Sequence, residues 1–238
     1  MNQKTALITG GTKGIGLEVV KGLLREKYKI IVVGRNKENI DKINRENNTN
    51  NKIDFFYCDL CETTEIKELL IKLQKYDKID LLVNNAGALF SKREVNSKGI
   101  EKTFALNHLS YFQITNGLLD KLKNSNNARI INVSSNMHKV FHLNIDDLES
   151  KKNYNGWKAY SKSKFLNILF TYYLSMKLEG NIVCNCLSPG FIDSDFGNNN
   201  KGAFRIFIKI IKKVLAKSTE KGAKTILYMA LNKNLSTT

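Results

Sequence analysis

Short apolar runs and segments of helical period alternate along the chain. Lys4–Thr9 is an apolar run of strand length, and Ile15–Lys27 carries its apolar residues at helical spacing. The pairing recurs as Lys29–Val33 with Lys37–Glu46, and as Ile53–Cys58 with Thr63–Tyr76. Asp80–Asn84 is a strand followed by helical stretches to Lys123. Ala128–Ser134 precedes the helix Lys158–Glu179, and Asn181–Leu187 precedes two helical patterns, Phe204–Ala216 and Glu220–Asn232. Near-continuous apolar strands alternating with helices predict an α/β fold, a parallel sheet covered on both faces. Right-handed crossovers then predict a doubly wound strand order, 3-2-1-4-5-6. The polar tract Asn47–Lys52 reads as a surface loop. No Pro/Ser-rich boundary divides the chain, so residues 1–238 read as one domain.

Composition narrows the function classes. A 42% hydrophobic content supports a core and argues against global disorder. The net charge of +16 invites a nucleic-acid reading. No zinc-finger spacing, basic zipper or aromatic RNA-binding stretch accompanies it, so the excess lysines read as solvated helix faces that attract anionic ligands. The N-terminus enters a strand at once, without a signal-peptide core, and no apolar window reaches membrane-spanning length. A cytoplasmic protein is the expectation. Cys58 and Cys61 have the spacing of a redox or zinc pair, and Cys184 and Cys186 share a strand face. Buried thiols are the commoner outcome, and no metal is expected.

The first candidate chemistry follows the first strand. Thr9-Gly10-Gly11-Thr12-Lys13-Gly14-Ile15-Gly16 opens a helix, and its glycines allow a phosphate to approach helix N–H groups. The spacing is Gly-x3-Gly-x-Gly, which is neither the G-x-G-x-x-G pattern nor a P-loop.

Five segments in one order resemble the short-chain dehydrogenase/reductase family. They are this glycine turn, Asn84-Asn85-Ala86-Gly87, Asn107 in Ala105-Leu106-Asn107-His108, Ser134-Ser135 followed by Tyr160-x3-Lys164, and Ser188-Pro189-Gly190. The similarity runs from Lys4 to about Asn232. It implies a Rossmann-like fold and a nicotinamide cofactor held by Gly10, Thr12, Lys13, Gly14, Ile15, Gly16, Asn85, Ala86, Gly87, Pro189 and Gly190, with Asp59 and Leu60 at the adenine. It also implies a catalytic set of Asn107, Ser135, Tyr160 and Lys164. Segments 103–109, 128–135 and 163–171 are similar to the retinol dehydrogenase-like branch, which implies a lipophilic carbonyl or alcohol substrate.

The residue types suit that chemistry. Tyr160 and Lys164, four apart on a helix, share a face. An unperturbed tyrosine pKa of about 10 is high for acid–base work at neutral pH, and a nearby ammonium lowers it. The resemblance gives Lys164 a second task, holding the nicotinamide ribose. It makes the second serine of the pair, Ser135, the one that bonds the substrate oxygen, and it gives Asn107 a water linking Lys164 to solvent. The second strand ends Val33-Gly34-Arg35-Asn36, without the acid that binds an NAD ribose. Arg35 and Lys13 instead suit a 2′-phosphate, so NADP(H) is expected over NAD(H).

The resemblance carries two departures. The branch often has an N-terminal membrane anchor, and the family usually continues into a seventh strand. Here the chain stops at Leu235-Ser236-Thr237-Thr238, so six strands are expected. The basic, amphipathic Phe204–Lys217 reads as a lid over the substrate, with peripheral membrane contact as the alternative. Trp157 and Tyr154 are placed near the cleft, and His108, His138 and His142 are read as structural. The lead function is an NADP(H)-dependent oxidoreductase acting on a small lipophilic substrate; a homo-oligomer is open. The alternatives are a non-enzymatic NADPH-binding regulator and a charge-driven membrane or nucleic-acid binder.

Overall fold

The computed structural model describes residues 3–46, 53–140, 143–178, 182–190, 218–232 and 234–235. In chain order the elements are β1 (Thr5–Thr9), α1 (Gly14–Arg25), β2 (Lys29–Gly34), α2 (Glu38–Glu46), β3 (Asp54–Tyr57), α3 (Thr63–Lys72) and β4 (Leu81–Asn84). Then come α4 (Lys102–Phe104), a π-helical turn (Ala105–Leu109), α5 (Ser110–Gly117), α6 (Leu119–Lys123) and β5 (Arg129–Val133). The last are α7 (Gly156–Lys177), β6 (Val183–Leu187) and α8 (Thr219–Leu231). The six strands form one parallel sheet in the order 3-2-1-4-5-6, the predicted Rossmann-like arrangement.

Strand alternation divides the core into two layers. Leu7, Ile31, Val33, Leu82 and Ile130 face α3, α5 and α7, whereas Ala6, Ile8, Ile30, Val32 and Val83 face α1 and α8. Each such side chain is fully buried or nearly so, which stabilises the sheet by about 1.5–3 kcal/mol for each leucine, isoleucine or valine among them. Helix α1 ends two residues before the lysine periodicity suggests. Lys27 takes a left-handed backbone (φ 60°), and its N–H donates to Leu24 O at 2.9 Å, turning the chain into β2.

Helix α7 departs from simple amphipathic patterning. Its inward face carries Tyr160, Ser163, Lys164, Asn167 and Thr171, all buried and mostly polar. Its outward face exposes Leu169, Tyr172, Tyr173 and Met176. The buried polar stripe is satisfied from the sheet. Asn132 Nδ2 donates to Thr171 Oγ1 at 2.9 Å, and Asn84 Nδ2 donates to both Asn132 Oδ1 and Thr115 Oγ1 at 2.9 Å.

Among the described residues, no helix is long and apolar enough to cross a membrane. The proposed lid, Phe204–Lys217, and the loop Asn47–Lys52 lie outside the described residues. Cys58, Cys61, Cys184 and Cys186 carry free thiols, and burial pushes Cys58, Cys61 and Cys184 up to about 12.

Candidate active site

The C-terminal ends of the strands border a cavity of about 530 Å³. Its lining follows the sheet order. Asp59 and Leu60 follow β3, Arg35 follows β2, and the glycine turn follows β1. Asn85, Ala86 and Gly87 come after β4, Ser135 after β5, and Pro189 and Gly190 after β6, with Tyr160 and Lys164 projecting from α7. A cleft at the strand ends of an open α/β sheet is where the fold exposes backbone groups to a ligand.

The glycine turn is shaped by what it lacks. Gly10 has φ +66°, a region other residues rarely enter, and a Cβ there would lie 2.9 Å from Ala86 Cα. A Cβ on Gly16 would lie 2.3 Å from Gly10 O and 2.6 Å from Asn85 Nδ2. The turn after β4 is pressed against it. Asn85 N–H and Ala86 N–H donate to Thr9 Oγ1 at 2.9 and 3.1 Å, and Asn85 Nδ2 donates to Thr9 O at 3.0 Å. Helix α1 starts here with no side-chain N-cap and no acid in its first turn. Its leading N–H groups and dipole thus present an anion site without a competing side chain, which fits the pyrophosphate of a dinucleotide.

Arg35 and Asp59, expected at separate contacts, are paired with each other. Arg35 Nη1 donates to Asp59 Oδ2 at 3.3 Å, and Asp59 Oδ1 accepts from Cys61 N–H at 3.0 Å. Arg35 is 63% exposed at the cavity rim, so the pair is solvent-screened and weak. No acid stands at the end of β2 beside Arg35; Asn36 follows it, its Oδ1 accepting from Glu38 N–H at 2.8 Å.

At the other end the site is made of side chains. Ser134 and Ser135 part company at the end of β5. Ser134 Oγ donates to Lys164 O at 2.7 Å and anchors α7, whereas Ser135 hydrogen-bonds Tyr160. Ser135 Oγ accepts from Met137 N–H at 3.3 Å, which leaves its own proton for the tyrosine oxygen. Lys164 Nζ donates to Val133 O at 2.9 Å and lies 5.7 Å from the centre of the Tyr160 ring. The ammonium therefore lies over the face of the tyrosine ring.

That placement changes the expected electrostatics. The Tyr160 hydroxyl is not pulled down. Burial pushes it up to about 12, and the Ser135 hydrogen bond offsets only part of the rise. Burial pushes Lys164 down to about 8. Both shifts express the cost of a charge in a water-poor site.

The Asn107 side chain is engaged by the protein itself. It does not line the cavity. Its Oδ1 accepts from Ala88 N–H at 2.9 Å, while its Nδ2 donates to Ala88 O at 2.9 Å and Ser163 Oγ at 3.0 Å. The amide clamps the loop after β4 to α7, and the π-helical turn brings it inward. His108 Nδ1 bonds Asn167 Oδ1 at 3.1 Å, within the same framework. Trp157 lines the cavity, but Tyr154 does not; its hydroxyl donates to Phe90 O at 2.9 Å. Val133, whose carbonyl accepts from Lys164 Nζ, carries no motif signal beyond its position beside Ser134.

The family model described as short chain dehydrogenase matches residues 4–203. Human polyprenol dehydrogenase is 38% identical over 245 residues, which cover 98% of this chain and 74% of that protein. Human retinol dehydrogenase 13 is 34% identical over 242 residues, covering 98% and 73%. Among solved structures, an uncharacterized protein from Mycobacterium Paratuberculosis superposes with a TM-score of 0.78 at 25% identity, covering 98% of this chain and 78% of that one. With this similarity spanning both the glycine turn and the Tyr160 helix, the chain belongs to the short-chain dehydrogenase family of oxidoreductases, in its retinol dehydrogenase-like branch.

Proposed function

We propose that this protein interconverts a lipophilic alcohol and its carbonyl compound using NADP(H), with Tyr160 as the acid–base group. The observation that carries the reading is the convergence of Ser135, Tyr160 and Lys164 on the cavity that also holds the glycine turn. The bound nicotinamide supplies or accepts the hydride. Tyr160, protonated at neutral pH because burial pushes it up to about 12, holds a proton for a carbonyl oxygen. Ser135 donates to the same region and orients that oxygen while negative charge develops on it. Lys164 sets the field beneath Tyr160 and would hold the ribose of a bound cofactor. Arg35 and Lys13 at the rim suit a 2′-phosphate, which would compete with the Asp59 carboxylate for the Arg35 guanidinium. Leu106, Met137 and Trp157 give the cavity an apolar wall. The relatives named for polyprenol and retinol point the same way, toward lipophilic alcohols.

The test is turnover of retinal, polyprenal and simpler carbonyls with NADPH, and of the matching alcohols with NADP⁺. Tyr160→Phe should lose kcat by about 10²–10⁴-fold, with NADPH affinity near wild type. Lys164→Ala should lose both rate and affinity. A Tyr160→Phe enzyme that reduces a carbonyl at the wild-type rate would overturn the assignment. NADPH binding without turnover of any carbonyl or alcohol would favour a regulatory role instead.

A further inference from the structure

Lys164 is 3% exposed, and among the described residues no carboxylate pairs with it. Its ammonium donates a hydrogen bond to Val133 O. Two aromatic faces complete its surroundings, Tyr160 from its own helix and Tyr111 from α5, whose ring centre lies 5.5 Å from Nζ. Tyr111 is fully buried and lines no part of the cavity. Its hydroxyl donates to Ala86 O at 2.9 Å, in the turn pressed against Gly10. One side chain thus spans from the backbone of the cofactor-facing turn to the underside of the lysine.

The other groups around the ammonium supply no negative charge at neutral pH. From β6, Cys186 carries a thiol pushed up by burial. From the π-helical turn, His108 is pushed down by burial and stays neutral. The Asn107 amide lies on the Gly87 side, where a Cβ would stand 3.2 Å from Lys164 Nζ and 3.3 Å from Asn107 Oδ1. Burial has already moved Lys164 down to about 8. A desolvated cation with no counter-ion gains most from the negative face of an aromatic ring, because little water competes for it.

We propose that Tyr111 is a positioning residue for Lys164: its ring carries the ammonium, and its hydroxyl pins that ring to the turn after β4. Lysine and turn are then held at one distance, so the group beneath Tyr160 and the backbone at Gly87 stay in register. The inference rests on the acid–base reading of Tyr160 and Lys164, and it extends that reading to a residue outside the motif.

Two variants separate the two halves of the role. Tyr111→Leu removes the ring, and Tyr111→Phe keeps the ring but loses the bond to Ala86. Lys164 is titrated directly through its ¹³Cε signal in lysine-labelled protein, identified by its absence in Lys164→Arg. In Tyr111→Leu the titration midpoint should fall by about one pH unit, and the alkaline loss of kcat should begin about one unit earlier. In Tyr111→Phe the midpoint should stay near wild type while the NADPH Kd rises several-fold. An unchanged Lys164 midpoint in Tyr111→Leu overturns the proposal. If that variant does not fold, pentafluorophenylalanine in place of Tyr111 keeps the ring's shape and reverses its quadrupole. The same fall is expected, and an unchanged midpoint again overturns the idea. Wild-type turnover by Tyr160→Phe would instead remove the acid–base reading, and would leave the Lys164 titration as its own result.

Discussion

The two ends of the cavity are built on opposite principles. Around Gly10 and Gly16 the surface is backbone, and the site works because atoms are missing. Around Tyr160 and Lys164 the surface is side chain, and the site works because polar atoms are held where water is scarce. On the proposed function, the glycine end meets an anion with fixed dipoles and exposed N–H groups, which do not titrate near neutral pH. The Tyr160 end must move a proton, so it tolerates a neutral buried tyrosine and a lysine displaced from its ordinary titration range. On that same reading, binding falls to the backbone end, rigid in the sense that its N–H groups do not titrate, and proton transfer to the end under electrostatic strain. Adding an atom should damage the first end most, and removing one the second.

The largest effect on binding is expected at Gly16. The methyl of Gly16→Ala would sit 2.3 Å from Gly10 O, so the turn must open and the α1 N-terminus must shift. Displacements of this size cost on the order of 100-fold where groups are positioned by contact. NADPH titration by calorimetry should show at least that loss. The Tyr160→Phe variant, at the other end, should bind NADPH normally. Wild-type affinity in Gly16→Ala would mean that the turn is not the cofactor's cradle, and the contrast between the two ends would fail.

A smaller effect belongs to the rim between β2 and β3. Arg35→Ala should reduce the ratio of NADPH to NADH affinity by about tenfold, the scale of one charge-assisted contact in a screened position. NADH affinity itself should hardly change, because the residue lies beyond the glycine turn. Equal losses for both cofactors would show that the Arg35–Asp59 pair shapes the pocket and does not read the 2′-phosphate.

What the sequence made legible follows the same division. The strand order and the glycine turn could be read because both depend on local pattern, near-continuous apolar runs alternating with helical periods and glycines at fixed spacing. The choice of Ser135 over Ser134 came from a resemblance; in the structure Ser135 hydrogen-bonds Tyr160 and Ser134 ties down α7. Other features were beyond local pattern. The Arg35–Asp59 pair joins residues 24 apart, and the Asn107 clamp joins three separate segments. Tyr111 reads as one more apolar residue on a short helix, and nothing near it in the chain announces Lys164. The direction of the Tyr160 shift was also missed, because residue spacing shows a neighbouring cation but not how much water burial removes.

The smallest expected effect tests whether strain at the Tyr160 end is real. Burial pushes Lys164 down from its ordinary 10.5 to about 8 in the folded protein. Below pH 8 it is charged in both folded and unfolded chains, so the folded state bears the full cost of burying the charge. As pH rises from 8 to 10.5 the folded protein releases this proton first, and the cost fades. Tyr160 acts in a separate window. Its raised pKa favours the folded state below pH 10, and that contribution is lost as pH climbs toward 12. Lys164→Met should therefore be more stable than wild type at pH 7 by about 1 kcal/mol, since relief from desolvation outweighs the lost Val133 bond and ring contacts. The difference should shrink steadily between pH 8 and 10, where Tyr160 does not yet titrate. The same variant should be inactive, so that stability and turnover move in opposite directions. Urea unfolding at intervals from pH 6 to 10 reads both the sign and the slope. A variant less stable than wild type at pH 7, or a difference that does not change with pH, would show that Lys164 is held at no electrostatic cost, and the division between a rigid end and a strained end would have to be given up.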